Sequence, residues 1–521
     1  MFNRKKRSLN ELRNSFGRIK TEQLNFNHIR RYHDRKVDIR AIQTIGEQTC
    51  NDLDFELFFG LVDRTHSRIG QQALYNQLRT IKNRKEQFKE QEVLIKHFQY
   101  NQESKIQVQY QLSRLSSRKA YYISDLFQSE TFQKPRWAII IPVLSSLVAL
   151  SIILSFFWST FSLILLLLLP IHVIIHYSLK NRVSVFIDSI PQLLILSEVA
   201  HKLLKLKISP KTSSIKTSIK TVNSIKRRMS FFKLDQKLDS DLEAAYWFLI
   251  EMVKIIFLLE PLLFFSAAQR LANKQKDIES VFDYVSSIDI ALSVHGLRTT
   301  LDNFCIPTIT SGKSISAKNI RHPLIIKCIP NNLKIEVKSF LLTGSNMSGK
   351  TTLMRTIGLN HLSALTLNTA FAESFELPFC KLYTMIRVSD DLMESTSYFM
   401  KELELVKEII DDQFSGKKLI LLDELFKGTN TIERVAAASS VLTYMHKTGG
   451  FVFVASHDLE LSEQLKNQFN TFHLGEEVFE NEIKFDYTLS PGNPDMGNAI
   501  ELMRINQFPK AIVEDAKKLV N

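Results

Sequence analysis

The sequence predicts two kinds of structure in one chain. From about residue 311 to the end it reads as an α/β phosphate-loop domain with a mostly parallel sheet. The region before it is all-α and is interrupted by a transmembrane helical hairpin. Three observations carry this. KSFLLTGSNMSGKTTLMRTIGL, KKLILLDELFKGT and GGFVFVASHDLEL each place a β-rich run before a turn and helical sequence, the alternation of a parallel sheet covered by helices. Residues 41–136 and 180–300 are rich in Leu, Ile, Gln, Lys and Glu at helical spacing, with little Pro or Gly. Between them, residues 137–179 hold no Asp, Glu, Lys or Arg.

At 521 residues the chain exceeds one core and divides into about two to four domains by the usual size range. Its 45% hydrophobic and 23% charged content leaves ample soluble surface and argues against a multi-span transporter. The net charge of +13 is concentrated: residues 1–40 carry 12 Lys/Arg against 4 Asp/Glu, and residues 180–233 carry 12 against 2. Such blocks favour polyanions, either nucleic acid phosphates or anionic lipid headgroups, with a plain solvated face as the alternative. Cys50, Cys305, Cys328 and Cys380 lack any CxxC spacing, which fits a reducing compartment better than disulfides or a zinc site. The basic start MFNRKKRSLNELRNSF has no apolar core, so no signal peptide is expected.

The uncharged run from Trp137 to Leu179 would be about 65 Å long as helix, roughly two bilayer thicknesses, so two spans fit better than one. The turn falls near residues 156–159. Trp137, Trp158 and Tyr177 lie near the span ends, where amphipathic rings favour the interface. Lys134 and Arg136 precede the run and Lys180 and Arg182 follow it, which puts both flanks and both termini on the cytoplasmic side of the membrane. The alternative is a helical hairpin buried in a soluble core. A third apolar stretch, FLIEMVKIIFLLEPLLFFSAA (248–268), contains Glu251, Lys254 and Glu260, and reads as a core or interface helix because charges at mid-span are costly.

The expected organisation is therefore a basic segment (1–40), a helical region (41–136), the hairpin (137–179), a helical return (180–310) and the α/β domain (311–521). Within the return, KISPKTSSIKTSIKTVNSIKRR (207–228) marks a polar connection or an exposed helix.

Residues 344–351, Gly-Ser-Asn-Met-Ser-Gly-Lys-Thr, fit the phosphate-loop pattern G-x-x-x-x-G-K-[ST] after the apolar strand SFLLT. Gly344 and Gly349 let the backbone wrap so that N–H groups point at phosphate, and the following helix adds positive potential at its N-terminus. Lys350 would reach the β and γ phosphates and the Thr351 hydroxyl would bind Mg²⁺. The remaining loop positions, Ser345, Asn346, Met347, Ser348 and Thr352, would line the same cradle. About 70 residues on, LILLDEL supplies Asp423, to orient magnesium, and Glu424, to activate the attacking water. Two carboxylates after a strand can also simply begin a turn, and it is the phosphate loop that favours chemistry. FVFVAS leads to His457, placed for a γ-phosphate or a hydrolytic water, or else structural.

Together these residues resemble the MutS family of DNA mismatch-repair ATPases, a branch of the ABC-type ATPases. RHPLI (321–325), IPNNLKI (329–335), TGSNMSGKTT, SYFMKELE (397–404), DELFKGT, VASHDLEL and the tail from YTLSPGNPDMGNAIELMRI are each similar to a family segment, and the likeness covers most of residues 311–521. More faintly, TCNDLDFELFFGLVDRTHSRIGQQALYNQLRT (49–80) and SSIDIALSVHGL (286–297) resemble the family's connector and lever. The resemblance implies ATP and Mg²⁺ bound by Gly344, Asn346, Gly349, Lys350 and Thr351, with Asp423, Glu424 and His457 completing hydrolysis. It also implies a homodimer through the ATPase domain in which Ser397 reaches the γ-phosphate held by the second copy. Where many members offer an aromatic to adenine, this chain has Cys328 and Ile329, which leaves Tyr487 to stack on the base.

About 40 residues precede the lever-like region, too few for the family's mismatch-reading domain, and no Phe-x-Glu wedge stands there; Phe371-Ala-Glu373 lies inside the ATPase region. The expected function is a membrane-anchored MutS-like ATPase whose arms touch DNA backbone without reading sequence. The alternative is a membrane-tethered mechanical ATPase that acts on a protein partner through lipid-bound basic segments. A transporter of ABC type fits poorly with four spans in a dimer.

Overall fold

The computed structural model describes residues 2–128, 136–208, 213–229, 243–312, 314–345, 348–387, 398–478, 483–493 and 499–520. The chain forms two compact units, each assembled from separated segments: Met1–Val37, Asp63–Asn76 and Lys89–Thr299 make one, and Asp38–Val62, Gln77–Phe88 and Thr300–Asn521 make the other.

The first unit is helical. Seven helices matter below: α1 (Arg68–Arg79, of this unit as far as Asn76), α2 (Ile140–Ser155), α3 (Thr160–Lys205), α4 (Ser213–Met229), α5 (Glu243–Ile256), α6 (Leu259–Ala272) and α7 (Gln275–Arg298). Its interior is built on α7, buried almost continuously from Val281 onward. Asp289 on α7 accepts hydrogen bonds from the backbone N–H groups of His66 and Ser67 and from the Ser67 hydroxyl, so it ties the turn that starts α1 to α7. Burial raises its carboxyl to about 6 even against these donors. Further along, Arg298 holds Glu92 through two bonds of 2.8 Å.

Two stretches, Trp137–Ser155 and Thr160–Leu179, are long and apolar enough to cross a membrane, and only 22% and 17% of them is buried. Ile140, Val143, Leu147, Leu150 and Ile153 on α2 and Leu163, Leu166, Leu167 and Ile174 on α3 stand exposed. The core hairpin of a soluble protein would hide such side chains, and a hairpin in lipid would show them. α3 continues without a break through Lys180 and Arg182 to Lys205. Within the Ser/Thr/Lys-rich stretch, residues 213–228 lie on helix α4, which buries Ile215, Ile219 and Val222 and leaves Lys216 and Lys220 exposed. Burial at i, i+4 and i+7 is the stripe of an amphipathic helix.

Residues 248–268 are not one helix. The chain breaks at Leu258, whose φ of 47° and ψ of 39° are left-handed, and α6 then leads back. Pro261 explains the break: in the first turn of α6 its missing N–H costs nothing, whereas in a continuous helix it would clash with the carbonyl of Phe257.

The second unit is α/β. Its six-stranded sheet contains β4 (Ser339–Thr343), β6 (Cys380–Met385), β7 (Lys417–Asp423), β8 (Phe451–Ala455), β9 (Phe469–Val478) and β10 (Ile483–Pro491) in the order β10-β9-β4-β8-β7-β6. Neighbours are parallel except β9 and β10, which are antiparallel. A smaller sheet holds β1 (Thr308–Thr310), β2 (Ile315–Ile320), β3 (Asn331–Ile335) and β5 (Ser374–Pro378).

The middle strands β4 and β8 are buried at every position, as continuous apolar runs require when both faces are covered. Helix α8 (Lys350–Leu367) is buried along nearly its whole length. A core formed by Leu341, Ile420, Leu422, Val452 and Val454 packs against α9 (Tyr398–Asp411) and α10 (Thr431–Lys447) through Val406, Ile409, Leu442 and Met445. The early segment 38–62 belongs here too. Asp52, fully buried, accepts from the N–H groups of Ile386 and Arg387, the Thr384 hydroxyl and the Gln48 amide. Asp54 pairs with both Arg355 on α8 and Arg387.

Candidate functional site

The register of the large sheet assembles the site. Ala455 on β8 stands opposite both Leu342 on β4 and Asp423 on β7, so all three strands end level. Parallel α/β sheets hold ligands outside such carboxyl ends. The residues that follow emerge at one edge: the loop from Gly344, the Asp423–Glu424 pair, and His457.

The loop is shaped by two glycines. Gly344 has φ +129° and Gly349 φ +95°, conformations that L side chains rarely adopt. Gly349 starts α8 directly. The Ser348 hydroxyl donates to Ser345 O across 2.9 Å, closing the turn. Lys350, almost wholly buried, donates to the carbonyls of Gly344 at 2.8 Å and Ser345 at 2.7 Å and lies 3.4 Å from His457 Nε2. A buried ammonium above a helix N-terminus makes this edge electropositive, as an anion site demands.

Beside it, the Thr351 hydroxyl donates to Asp423 Oδ2 across 2.7 Å. A hydroxyl and a carboxylate are hard oxygen donors, the set that suits Mg²⁺ with its remaining places taken by phosphate and water. The donor chemistry therefore fits the metal.

Glu424 is the least ordinary residue here. Its φ is +55°, held by its N–H donating to Ala455 O at 2.9 Å, so the strand end of β7 is twisted and fixed to β8. The left-handed region costs a residue with a Cβ of the order of 1 kcal/mol and collects at functional sites. The carboxylate is largely buried, lies 2.5 Å from His457 Nε2 and also pairs with Lys427. Burial first, then the nearby Lys350 ammonium, holds the His457 imidazole below its usual 6.5. Neutral imidazole is thus the favoured form at pH 7.

A cavity of 330 Å³ opens next to Gly349, lined among others by Cys328, Ile329, Thr352, Leu353, Leu474 and Tyr487. Tyr487 Cδ1 lies 3.1 Å from where a Cβ on Gly349 would stand. Its backbone is left-handed at φ +53°, and the Asn331 amide secures it by donating to Tyr487 O at 2.9 Å and accepting from Leu489 N–H at 2.7 Å.

Gly344, Ser345, Ser348, Gly349, Lys350, Thr351, Thr352, Asp423, Glu424, His457 and Tyr487 are thus brought together. Asn346, Met347 and Ser397 lie outside the described residues. Sequence reasoning missed Lys427, Asn331 and the Arg434–Asp458 pair, which joins α10 to the residue after His457 by bonds of 2.6 and 2.9 Å. Lys427 stands four residues from Asp423; Asn331 lies in the segment IPNNLKI, but its contact had no local signal, because its partner strand is more than 150 positions away. Phe371 packs edge-on against Phe58 and Glu373 pairs with Lys318, so that triplet has structural work to do.

Comparison with known proteins shows which family this region is similar to. Residues 340–521 match the family model of MutS domain V. They are a MutS-family ATPase domain. The DNA mismatch repair protein MutS of Lactobacillus delbrueckii subsp. bulgaricus is 32% identical over 234 residues, 42% of this chain and 27% of that protein. The MutS proteins of Fusobacterium nucleatum and Thermus thermophilus are 29% and 30% identical, over 49% and 40% of this chain and 28% and 26% of theirs. The chain matches less than a third of the length of these curated relatives, and the shared part is the MutS-type ATPase region.

Proposed function

We propose that the protein is a membrane-anchored MutS-like ATPase that hydrolyses ATP with Mg²⁺ and uses the cycle to move helical arms that contact DNA backbone. The observation that carries the reading is the gathering of Lys350, the Thr351–Asp423 pair and the Glu424–His457 pair at one sheet edge. The loop from Gly344 to Thr352 would cradle the phosphates, Lys350 would neutralise the terminal ones, and Tyr487 would stack on the base. Thr351 and Asp423 would hold Mg²⁺, which supplies charge neutralisation across the phosphates. Glu424 would take the proton of the attacking water, with neutral His457 orienting it. Ser397 of a second copy would complete the site, so that nucleotide joins two ATPase domains and hydrolysis releases them.

Residues 137–179 would anchor the chain by two spans with both termini cytoplasmic, and the division at residues 40, 136, 179 and 310 belongs to the same reading. The basic blocks would give DNA contacts that are independent of sequence and sensitive to salt. A second reading keeps the anchored ATPase and replaces DNA with a protein partner. It is favoured by α4, whose exposed Lys216 and Lys220 suit anionic lipid at roughly 1 kcal/mol each.

The test is ATP turnover of protein in liposomes with no DNA, homoduplex, mismatched duplex or branched DNA. Stimulation by any of these, lost at high salt, supports the first reading. Indifference to all DNA removes it and leaves the second.

A further inference from the structure

We infer that α5 and α6 form a re-entrant hairpin that enters the same membrane leaflet as the ends of the two spans, so that the lipid-contacting part of this protein is larger than residues 137–179. The inference rests on the membrane-anchored reading above and adds a surface to it.

The contacts fix direction and depth. Ser145 on α2 donates its hydroxyl to Phe257 O at 2.8 Å, and His172 Nδ1 on α3 lies 2.8 Å from Ile256 O. One turn along α3 from His172 towards Leu179, His176 Nε2 is 3.4 Å from Glu251. Along α2 towards its start, Trp137 meets the ring of Phe265 edge-on with centroids 5.8 Å apart. Both helices of the hairpin therefore run antiparallel to the spans they touch. The turn at Phe257–Leu258 points inward, and the open ends point to the side of Trp137 and Leu179. Ser145 is eight residues from Trp137 and His172 seven from Leu179, so at 1.5 Å per residue the tip lies about 11–12 Å in, short of the middle of a hydrocarbon core about 30 Å thick.

A chain that turns inside hydrocarbon must satisfy its turn carbonyls from protein. Pro261 has no N–H to offer Phe257 O, and the Ser145 hydroxyl takes that place. His172 does the same for Ile256. Both donors come from the spans and both sit at the depth of the turn. In a hairpin lying in water, solvent would do this without them.

The charges that made this segment look unfit for lipid are paired against one another at a shallower level. Lys254 lies 3.3 Å from Glu260 and 3.8 Å from Glu251, and the fully covered His176 side chain closes the group. Ala138, Ile141, Leu179, Leu258 and Phe265 form one apolar core between hairpin and spans. On the outer side of α5, Leu249, Met252 and Val253 are exposed, continuing the apolar surface of the spans.

The test labels introduced cysteines with a polarity-sensitive fluorophore in the full-length protein in liposomes, with the half-buried Cys305 and Cys328 replaced by serine, the buried Cys50 and Cys380 kept, and the signal of the protein without an introduced cysteine subtracted. Positions are Val253→Cys and Met252→Cys in the hairpin, Leu150→Cys and Leu166→Cys in the spans, and Val37→Cys as a solvent control. Lipids brominated on the acyl chain serve as quenchers. The inference expects the two hairpin positions to be quenched within about twofold of the span positions while Val37→Cys is not. Hairpin positions that behave like Val37→Cys while the spans are quenched overturn it and leave the anchor standing. If the spans also go unquenched, the membrane reading falls and the hairpin with it.

Discussion

The hydroxyl of Thr351, in the first turn of α8, and Oδ2 of Asp423, at the last residue of β7, are joined by a 2.7 Å hydrogen bond. Two elements 72 positions apart thereby present two hard oxygens at one point. Thr351→Ala removes the hydroxyl oxygen of the pair, and Asp423→Asn replaces the charged carboxylate by a neutral amide, a weaker oxygen donor to a divalent cation. The expected outcome is a fall in turnover of about 100-fold or more and a large rise in the Mg²⁺ concentration for half-maximal rate. Phosphate release measured across a Mg²⁺ titration checks it; an unchanged Mg²⁺ requirement in Asp423→Asn would falsify the metal assignment.

Glu424 separates binding from chemistry. Its carboxylate meets Lys427 and His457 rather than Lys350 or Thr351, so Glu424→Gln leaves the phosphate cradle whole. Loss of a general base typically costs 10²- to 10⁴-fold, so turnover is expected to fall by about that factor. Affinity for ATP, read by fluorescent-nucleotide displacement, is expected to stay within about threefold, the scale of a lost rim contact. A variant that hydrolyses at the native rate removes Glu424 from the reaction.

What the sequence made legible, and what it hid, divides by range. The loop, the strand-end carboxylates and His457 were readable because each follows a continuous apolar strand, and parallel strands that end level must bring their successors together. The uncharged run was readable from length alone. The break at Leu258 is hidden by the apolar residues that continue on both sides of it, and Pro261 is its one local signal. The docking of residues 38–62 beside the sheet, through Asp52 and Asp54, was hidden for another reason. Such pairs join positions more than 300 apart, and no local pattern encodes them.

Tyr487 bears on the base rather than the phosphates. It lines the cavity beside Gly349, and Asn331 fixes its backbone. An aromatic face contributes about 0.5–1.5 kcal/mol beyond area, so Tyr487→Ala is expected to weaken nucleotide binding by roughly 3- to 10-fold with the maximal rate nearly intact. Tyr487→Phe, which keeps the ring, is expected to restore affinity. Equal loss in both variants would move the base elsewhere.

His361 gives the second unit an acid limb. It sits inside α8 with no exposure, and burial pushes its imidazole from 6.5 down to about 4. Well above pH 6.5 neither the folded nor the unfolded chain protonates it, so stability there is independent of this group. As pH falls below 6.5 the unfolded chain takes the proton first, and folding weakens by up to about 1.4 kcal/mol per pH unit until the folded group also protonates near 4. His322 in the same unit is pushed to about 4 by the same cause, so the limb is shared between them. His361→Leu removes one contribution and leaves the other. The difference in melting temperature between pH 7.5 and pH 5.0, measured by calorimetry, is expected to be smaller in His361→Leu than in the native protein, whatever the variant does to stability at pH 7.5. Equal differences would mean that the imidazole finds a proton acceptor in the folded protein and is not held neutral by its burial.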